Sequence, residues 1–179
     1  MHTVELLVDR VTEQRVVGVW RALAATGLPS QAGHHHPTNR PHLTLATSAE
    51  LPPGGWRALA RTLSALPVPL RLEGVLRFDG RTRVLAWRVV PGAELTAIHR
   101  QVWEQLHTDG EGKSDGGANR NPLHAPGSWT PHLTLGRSRS AAACWPDELL
   151  PVELAEPWEG NFTQARSYDS VRRTVELLA

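Results

Sequence analysis

The sequence predicts an α+β fold in which two mainly antiparallel sheets face each other across a central groove, with approximate two-fold symmetry and helices on the outside. Strands and helices follow each other without the strict alternation of a parallel doubly wound sheet, and hairpin signals favour antiparallel pairing. The pentapeptide Pro-His-Leu-Thr-Leu also occurs twice, at 41–45 and 131–135, in a chain of 179 residues. We therefore expect one bilobal domain over 1–179, with the first motif in 1–90 and the second in 91–179.

The first half of the chain predicts a strand and a helix, another strand and helix, and then a hairpin. The first strand is β-branched and apolar and ends at Asp9, a suitable helix N-cap. The helix that follows has apolar residues at helical spacing and ends near Gly27. Asp79 and Gly80 supply the hairpin turn. The predicted elements are a strand over 2–9, a helix over 11–27, a strand over 40–48, a helix between Pro53 and Pro67, and two strands over 69–90.

The second half repeats this order with some losses. Apolar residues at helical spacing predict a helix over 92–110. The glycine-rich, polar segment 109–128 predicts a mobile loop, which is either a lid or a tolerated insertion. The remaining predicted elements are a strand over 130–138, a short helix over 144–154, and a closing pair of strands over 158–170 and 171–179.

The composition is typical of a globular protein that works in a reducing compartment. Apolar residues make up 40% of the chain, which is enough for one core, and the net charge is +1. No apolar run approaches the roughly 20 residues of a membrane helix, and the first residues do not resemble an export signal. Cys144 is the single cysteine, so it forms neither an internal disulfide nor a zinc cluster. We expect a cytoplasmic monomer with no membrane partner.

The repeated motif places histidine and threonine together on one face of a strand. Side chains alternate along a strand, so His42 and Thr44 project to one side, and His132 and Thr134 do the same in the second copy. If the halves pack with two-fold symmetry, the two polar faces meet in one groove. Histidine titrates near neutral pH, so one imidazole can be the base while the other is the acid. A phosphodiester displacement needs both.

The same residues favour a reaction without a metal ion. The threonine hydroxyls can donate to the non-bridging phosphate oxygens, where negative charge is held in the transition state. No paired carboxylates near either motif would seat magnesium. The tract His34 to His36 resembles a metal tract but has no carboxylate companions, so a solvated loop at the mouth of the groove or a substrate contact is favoured over a metal site. We expect no cofactor and no metal.

The motifs and their surroundings resemble the 2H phosphoesterase superfamily, in particular the LigT-like branch of 2′-5′ RNA ligases and RNA 2′,3′-cyclic phosphodiesterases. The signature of two His-x-Thr-x motifs in a bilobal fold is matched by "HLTL" at 42–45 and at 132–135. The opening "VELLVD", the context "RPHLTLA" and the closing "VRRTVELL" occupy the corresponding places, so the resemblance covers nearly the whole chain.

The resemblance implies hydrolysis of 2′,3′-cyclic phosphates, at RNA ends or on small nucleotides, to 2′-phosphomonoesters. His42 would then give a proton to the departing 3′ oxygen, His132 would activate water, and Arg137, shortly after the second motif, would bind phosphate with Thr44 and Thr134. Run in reverse, with a 5′-hydroxyl replacing water, the same site would form a 2′-5′ linkage.

Three further residues are candidates for substrate contact, and two alternative functions stay open. Arg40 precedes the first motif and could touch phosphate, while Trp129 and Tyr168 could stack on a base. One alternative is a module that binds nucleotides or RNA ends without turning them over. The other is an esterase for a different cyclic phosphate or for a 2′-5′ oligonucleotide.

Overall fold

A computed structural model describes residues 1–34, 36, 38–49, 54–107, 121–140, 142 and 144–179. None of the helices in these ranges is long and apolar enough to span a membrane. The principal elements within the described ranges are β1 (His2–Val8), α1 (Arg10–Ala25), β2 (His42–Ser48), α2 (Gly55–Leu63), β3 (Val68–Phe78), β4 (Arg83–Val89), α3 (Ala93–His107), β5 (His132–Ser138), β6 (Trp158–Asp169) and β7 (Thr174–Leu177).

The described strands form one continuous antiparallel sheet in the order β2-β1-β6-β3-β4-β5, with β7 paired to the end of β6. The two predicted sheets are the two wings of this sheet, β2-β1-β6 and β3-β4-β5, joined by the pairing of β3 with β6. The wings do not coincide with the halves of the sequence, because β6 returns from the C-terminal region to pair with β1. The motif strands β2 and β5 lie at opposite ends of the strand order.

The two ends of the sheet nevertheless lie close together in space. Cα atoms of β2 and β5 come within 8 Å of each other, although these strands are not hydrogen-bonded partners. The sheet must therefore curve strongly, as the right-handed twist of successive strands allows. This curvature brings the two copies of the motif from opposite edges to one place.

The leucines of both motifs anchor the strands in the core. Leu43, Leu45, Leu133 and Leu135 are at most 1% exposed and belong to one cluster of buried apolar residues. Helix α1 contacts β5 and β6, and α3 contacts β2 and β3, so each long helix packs against the motif strand of the opposite wing. Truncating one such leucine to alanine costs about 2–5 kcal/mol of stability.

Helix α1 begins and ends as the sequence predicts. The Asp9 side chain accepts a hydrogen bond from the backbone N–H of Thr12 at 2.9 Å, which caps the first turn. At the other end Gly27 has φ +75°, a left-handed conformation that glycine adopts without strain, and the N–H of Leu28 reaches back to the carbonyl of Leu23. This capping fixes where the chain leaves the helix toward the groove.

Two predicted elements differ from the structure. The short helix predicted over 144–154 is two 3₁₀ turns, Asp147–Leu149 and Val152–Leu154. Proline precedes each turn, and because proline lacks an N–H and disfavours helical geometry in the residue before it, a continuous helix cannot form there. Of the predicted loop 109–128, residues 121–128 include a 3₁₀ turn at Pro122–His124, and the rest of the lid candidate lies outside the described residues.

Candidate active site

Both motif strands show the alternation that their sequence predicts. The leucines of each motif are buried, whereas His42, Thr44, His132 and Thr134 are partly exposed. Successive side chains of a strand point to opposite faces, so each His-Thr pair lies on the face turned away from the core. The structure thus brings two identical polar pairs to strands that approach each other.

A β-bulge follows the threonine of each motif. Leu45 is skipped by its partner strand, because consecutive residues of β1 pair with residues 44 and 46. Leu135 is skipped by β4 in the same way. A bulge inserts one extra residue and so reverses the alternation beyond it. Arg137 therefore lies beside Thr134, with 3.4 Å between its Nη2 and the threonine Oγ1.

Two tryptophans support the backbone of the motif strands at equivalent places. Trp129 donates from its indole Nε1 to the carbonyl of Thr44 at 3.0 Å, and Trp20 donates in the same way to the carbonyl of Thr134, also at 3.0 Å. These strands are at the edges of the sheet, where carbonyl groups lack a neighbouring strand. Trp129 also stacks on His99 with 3.8 Å between ring centroids. Trp129 is thus engaged behind the motif and does not line the groove, and the sequence did not single out Trp20.

The two motif histidines are held in the same orientation. Nδ1 of His42 lies 2.7 Å from the carbonyl oxygen of Arg40, and Nδ1 of His132 lies 2.7 Å from that of Thr130. A carbonyl only accepts, so both Nδ1 atoms carry the proton. Nε2 is therefore the nitrogen of each neutral ring that can accept a proton. The ring of His132 also contacts that of Phe78, with 4.8 Å between centroids.

A polar groove of ≈ 660 Å³ lies beside the motifs. Its lining includes His42, Thr44, Thr134, Arg137 and Tyr168. Five of the predicted site residues therefore share one cavity, whereas His132 is not part of its lining and lies two residues before Thr134 on the same face of β5. Tyr168, on β6, is the tyrosine among them.

Arg40 and the histidine tract have different placements. The Nε and Nη2 atoms of Arg40 donate to the carboxylate of Glu13 at 2.9 and 2.7 Å, and Arg40 is not part of the groove lining. His34 and His36 do line the groove, at its wall next to β2. His35 lies outside the described residues. The structure thus places His34 and His36 at the groove and directs the Arg40 side chain to an ion pair.

The sequence does not predict the ion pair on the groove floor. Glu5 of β1 and Arg166 of β6 are each 4% exposed, and Arg166 Nε donates to Glu5 Oε2 at 2.7 Å. The other oxygen, Oε1, lies 3.8 Å from Nε2 of His42. A charged residue alternating with the apolar residues of a strand is the signal that marks this face. Nothing local in the sequence indicates that two residues so distant along the chain are partners.

The second motif histidine has the electrostatic surroundings of a base. The pKa of His132 is lowered, mainly because burial disfavours the charged imidazolium, and also because positive charge on Arg137 and on the His42 ring would repel it. The carbonyl of Thr130 opposes the shift. A lowered pKa keeps this imidazole neutral near pH 7, which is the form that accepts a proton.

Among the described residues no three His, Cys, Asp or Glu side chains are grouped so that they could hold a metal ion. The groups that the site offers to a substrate are two imidazoles, two hydroxyls and the guanidinium of Arg137. Together these can accept one proton, donate another and hold negatively charged oxygens between them.

The family model described as the 2′-5′ RNA ligase superfamily matches residues 9–166. Because this match covers most of the chain, the protein belongs to that superfamily, and the LigT-like 2H resemblance drawn from the two motifs is confirmed. No curated protein matches the sequence itself.

Solved structures confirm the 2H phosphoesterase fold. A structure described as a phosphoesterase matches with a TM-score of 0.60 and 20% identity, over 98% of this chain and 92% of that chain. LigT of E. coli matches with a TM-score of 0.58 and 18% identity, over 98% and 91%. Usb1 of Kluyveromyces marxianus matches with a TM-score of 0.58 and 16% identity, over 99% and 96%. LigT was also solved with NADP+ and with 3′-AMP, and Usb1 with uridine monophosphate.

Proposed function

We propose that this member of the 2′-5′ RNA ligase superfamily hydrolyses 2′,3′-cyclic phosphates, at RNA ends or on small nucleotides, to 2′-phosphomonoesters without a metal ion. The observation that carries the proposal is the pair of motif histidines, each with Nδ1 tied to a carbonyl and Nε2 left for reaction, on strands that approach within 8 Å. One imidazole can give or take a proton, but displacement at phosphorus asks for both events at once.

His132 is the base and His42 the acid in this proposal. Nε2 of neutral His132 takes a proton from water as the water oxygen bonds to phosphorus. The bond from phosphorus to the 3′ oxygen breaks, and that oxygen takes a proton from Nε2 of His42. The lowered pKa of His132 supports its role. Glu5, with Oε1 3.8 Å from His42 Nε2, places negative charge where an imidazolium would be attracted.

The phosphate would lie between the threonine hydroxyls and Arg137. Hydroxyl and guanidinium donors can bind both non-bridging oxygens and hold their charge as the transition state forms. Thr44, Thr134 and Arg137 line the same groove. Because these donors already face that space, little reorganisation is needed when charge develops, which is the main source of electrostatic catalysis.

A nucleotide is the substrate class that the groove supports. Its walls are rich in hydroxyl, amide and imidazole groups, and Tyr168 offers an aromatic surface to a base. The nucleotides NADP+, 3′-AMP and uridine monophosphate in solved structures of LigT and Usb1 support the same class. Reversal of the reaction with a 5′-hydroxyl would give a 2′-5′ linkage. A monomeric state and a cytoplasmic location stay predictions.

The test is turnover of 2′,3′-cyclic nucleotides and of RNA ending in a cyclic phosphate, with EDTA present. We expect the wild type to convert the cyclic phosphate to the 2′-phosphomonoester. His42→Ala and His132→Ala should each lower kcat by about 10²–10⁴-fold. The matched control is His2→Ala, because His2 lies on β1 on the face opposite Glu5 and makes its contact with Asp169. This control should keep wild-type activity.

Other outcomes would contradict the proposal. Activity that survives both motif substitutions would show that the histidines do not transfer the protons. Activity abolished by EDTA would show a metal-dependent reaction. Binding of nucleotides without any turnover would favour the non-catalytic module, and release of a 3′-phosphate would reverse which oxygen leaves.

A further inference from the structure

The buried ion pair on the groove floor is not explained by the acid-base mechanism. Glu5 and Arg166 belong to neither motif, yet both line the groove beside the motif residues. Burying a carboxylate is costly unless it is paired and hydrogen-bonded, and Arg166 supplies both with its Nε at 2.7 Å. Replacing a buried ion pair by apolar residues of similar volume is often neutral or stabilising. The charges therefore need a reason other than stability.

Glu5 lies next to the place where the phosphate is proposed to bind. It pairs directly with Thr44 across the ladder between β1 and β2. Its Oε1 is 3.8 Å from His42 Nε2, and its charge acts attractively on Arg137. A phosphate that reaches His42, Thr44 and Arg137 must therefore come close to this carboxylate as well.

The carboxylate repels different phosphates to different extents. A cyclic phosphodiester carries one negative charge, whereas a phosphomonoester carries nearly two above its second pKa of about 6. Coulomb repulsion is proportional to the product of the charges, and charges separated by less than a Debye length in a partly buried site are little screened. Glu5 therefore opposes binding of the monoester more strongly than binding of the diester.

We propose that Glu5 is a specificity-determining residue that selects monoanionic phosphodiesters over dianionic phosphomonoesters and so promotes release of the hydrolysed product. The role of Arg166 is positioning, because its hydrogen bond to Oε2 fixes the carboxylate while Oε1 stays directed toward His42. This inference rests on the proposed function for the location of the phosphate. It adds that the site distinguishes substrate from product by charge.

The test compares two ligands that differ in one charge. The probes are a nucleoside 2′-phosphate and its methyl ester, titrated by calorimetry at pH 8 into wild type, Glu5→Gln and Glu159→Gln. We expect wild type to bind the ester at least about tenfold more tightly than the monoester, and Glu5→Gln to narrow that ratio by about tenfold. Glutamine has the same shape and keeps an oxygen for Arg166. Glu159→Gln removes the same charge from an exposed pair with Arg71 on β3 and β6, outside the groove, and should leave the ratio unchanged.

Calorimetry keeps this test independent of turnover. If wild type binds the monoester as tightly as the ester, or if Glu5→Gln leaves the ratio at the wild-type value, Arg166 cancels the carboxylate and the inference is wrong. A Glu5→Gln protein that fails to fold, judged by its thermal melt, leaves the wild-type ratio to decide. If neither ligand binds, the inference fails, and the cyclic-phosphate assay separately decides the proposed function. If the enzyme turns over cyclic phosphate but Glu5→Gln has the wild-type ratio of ester to monoester affinity, the inference about Glu5 is wrong and the proposed function stands.

Discussion

The two motif strands have the same five residues and different surroundings. In both strands a bulge follows the threonine, an indole supports the threonine carbonyl, and the histidine Nδ1 is tied to a carbonyl. The strands diverge directly beyond the bulge, where β2 continues with Ala46 and Thr47 and β5 with Gly136 and Arg137. Because of the bulge, Thr47 in β2 and Arg137 in β5 lie on the groove side of their strands. The second motif therefore has a neighbouring cation that the first motif lacks.

The residues across the ladder differ as well. Thr44 pairs with Glu5, an acid, whereas Thr134 pairs with Ala86. Negative charge thus stands beside the first histidine and positive charge beside the second. In the proposed mechanism the two identical motifs perform opposite proton transfers, one accepting and one donating, and the charges that distinguish them lie outside the repeat.

The largest expected effect is a difference between His42→Ala and His132→Ala on a substrate whose leaving group needs no proton. If His42 is only the acid, His42→Ala should lose about 10²–10⁴-fold on a cyclic phosphate but much less on an aryl phosphodiester that releases 4-nitrophenolate. His132→Ala should lose a similar factor on both substrates, because water still needs a base. Steady-state rates of both variants on both substrates measure this. The opposite pattern of rescue would exchange the roles of the two histidines.

A smaller effect is expected at the residue that follows the second bulge. A Cβ on Gly136 would collide with the carbonyl oxygen of Pro29 and would lie 3.1 Å from the ring of Trp145. Gly136→Ala should therefore force β5 away from these neighbours and cost about 1–3 kcal/mol, a fall in Tm of roughly 2–4 °C per kcal/mol. Activity should fall too, since Arg137 directly follows Gly136 in β5. Calorimetric melts and cyclic-phosphate assays check both effects.

The first motif provides the matched control for this variant. Ala46 occupies the equivalent position in β2 and is fully buried, so the first site already accepts a Cβ. Ala46→Gly should lower stability only by loss of packing and by the greater backbone entropy of glycine in the unfolded chain. His42 should stay in place, so activity should fall less than in Gly136→Ala. Equal losses of activity in both variants would show that the bulge, and not the close contact with Pro29, is what matters.

The sequence predicted the features of the fold and the site that depend only on residues close together along the chain. The alternation of His and Thr against Leu follows from strand geometry, and the Asp9 cap and the Asp79 turn are signals within a few residues. Arg137 lies beside Thr134, although strand alternation alone would have turned it to the core side. The bulge that reverses it depends on β4, so no pattern within β5 could have predicted it.

The parts that could not be predicted depend on contacts between distant segments. Glu5 and Arg166 are 161 residues apart, and only the pairing of β1 with β6 brings them together. Trp129 was a candidate for base stacking because it precedes the motif, but its indole faces the carbonyl of Thr44 instead. Arg40 precedes the first motif, but its guanidinium pairs with Glu13 of α1. In each case the partner, not the residue type, decides the role.

The smallest expected effect is a shift of the pH profile at the second motif. Burial and the positive charge of Arg137 lower the pKa of His132. The base must be neutral to act, so the acidic limb of kcat/KM should lie below pH 6.5 in the wild type. Removing the cation in Arg137→Gln lets the pKa of His132 rise, so protonation persists to higher pH and the limb should move up by a fraction of a pH unit. Profiles from pH 5 to 9 on a cyclic nucleotide measure it.

The control for this shift is the next arginine on the same side of the chain. Arg139→Gln removes an equal charge, but Arg139 is not among the groups that lower the pKa of His132, so its acidic limb should stay at the wild-type position. An equal shift in both variants would mean that His132 responds to the overall field of the groove. A downward shift in Arg137→Gln would mean that the limb belongs to another group, and the assignment of His132 as the base would then lose its electrostatic support.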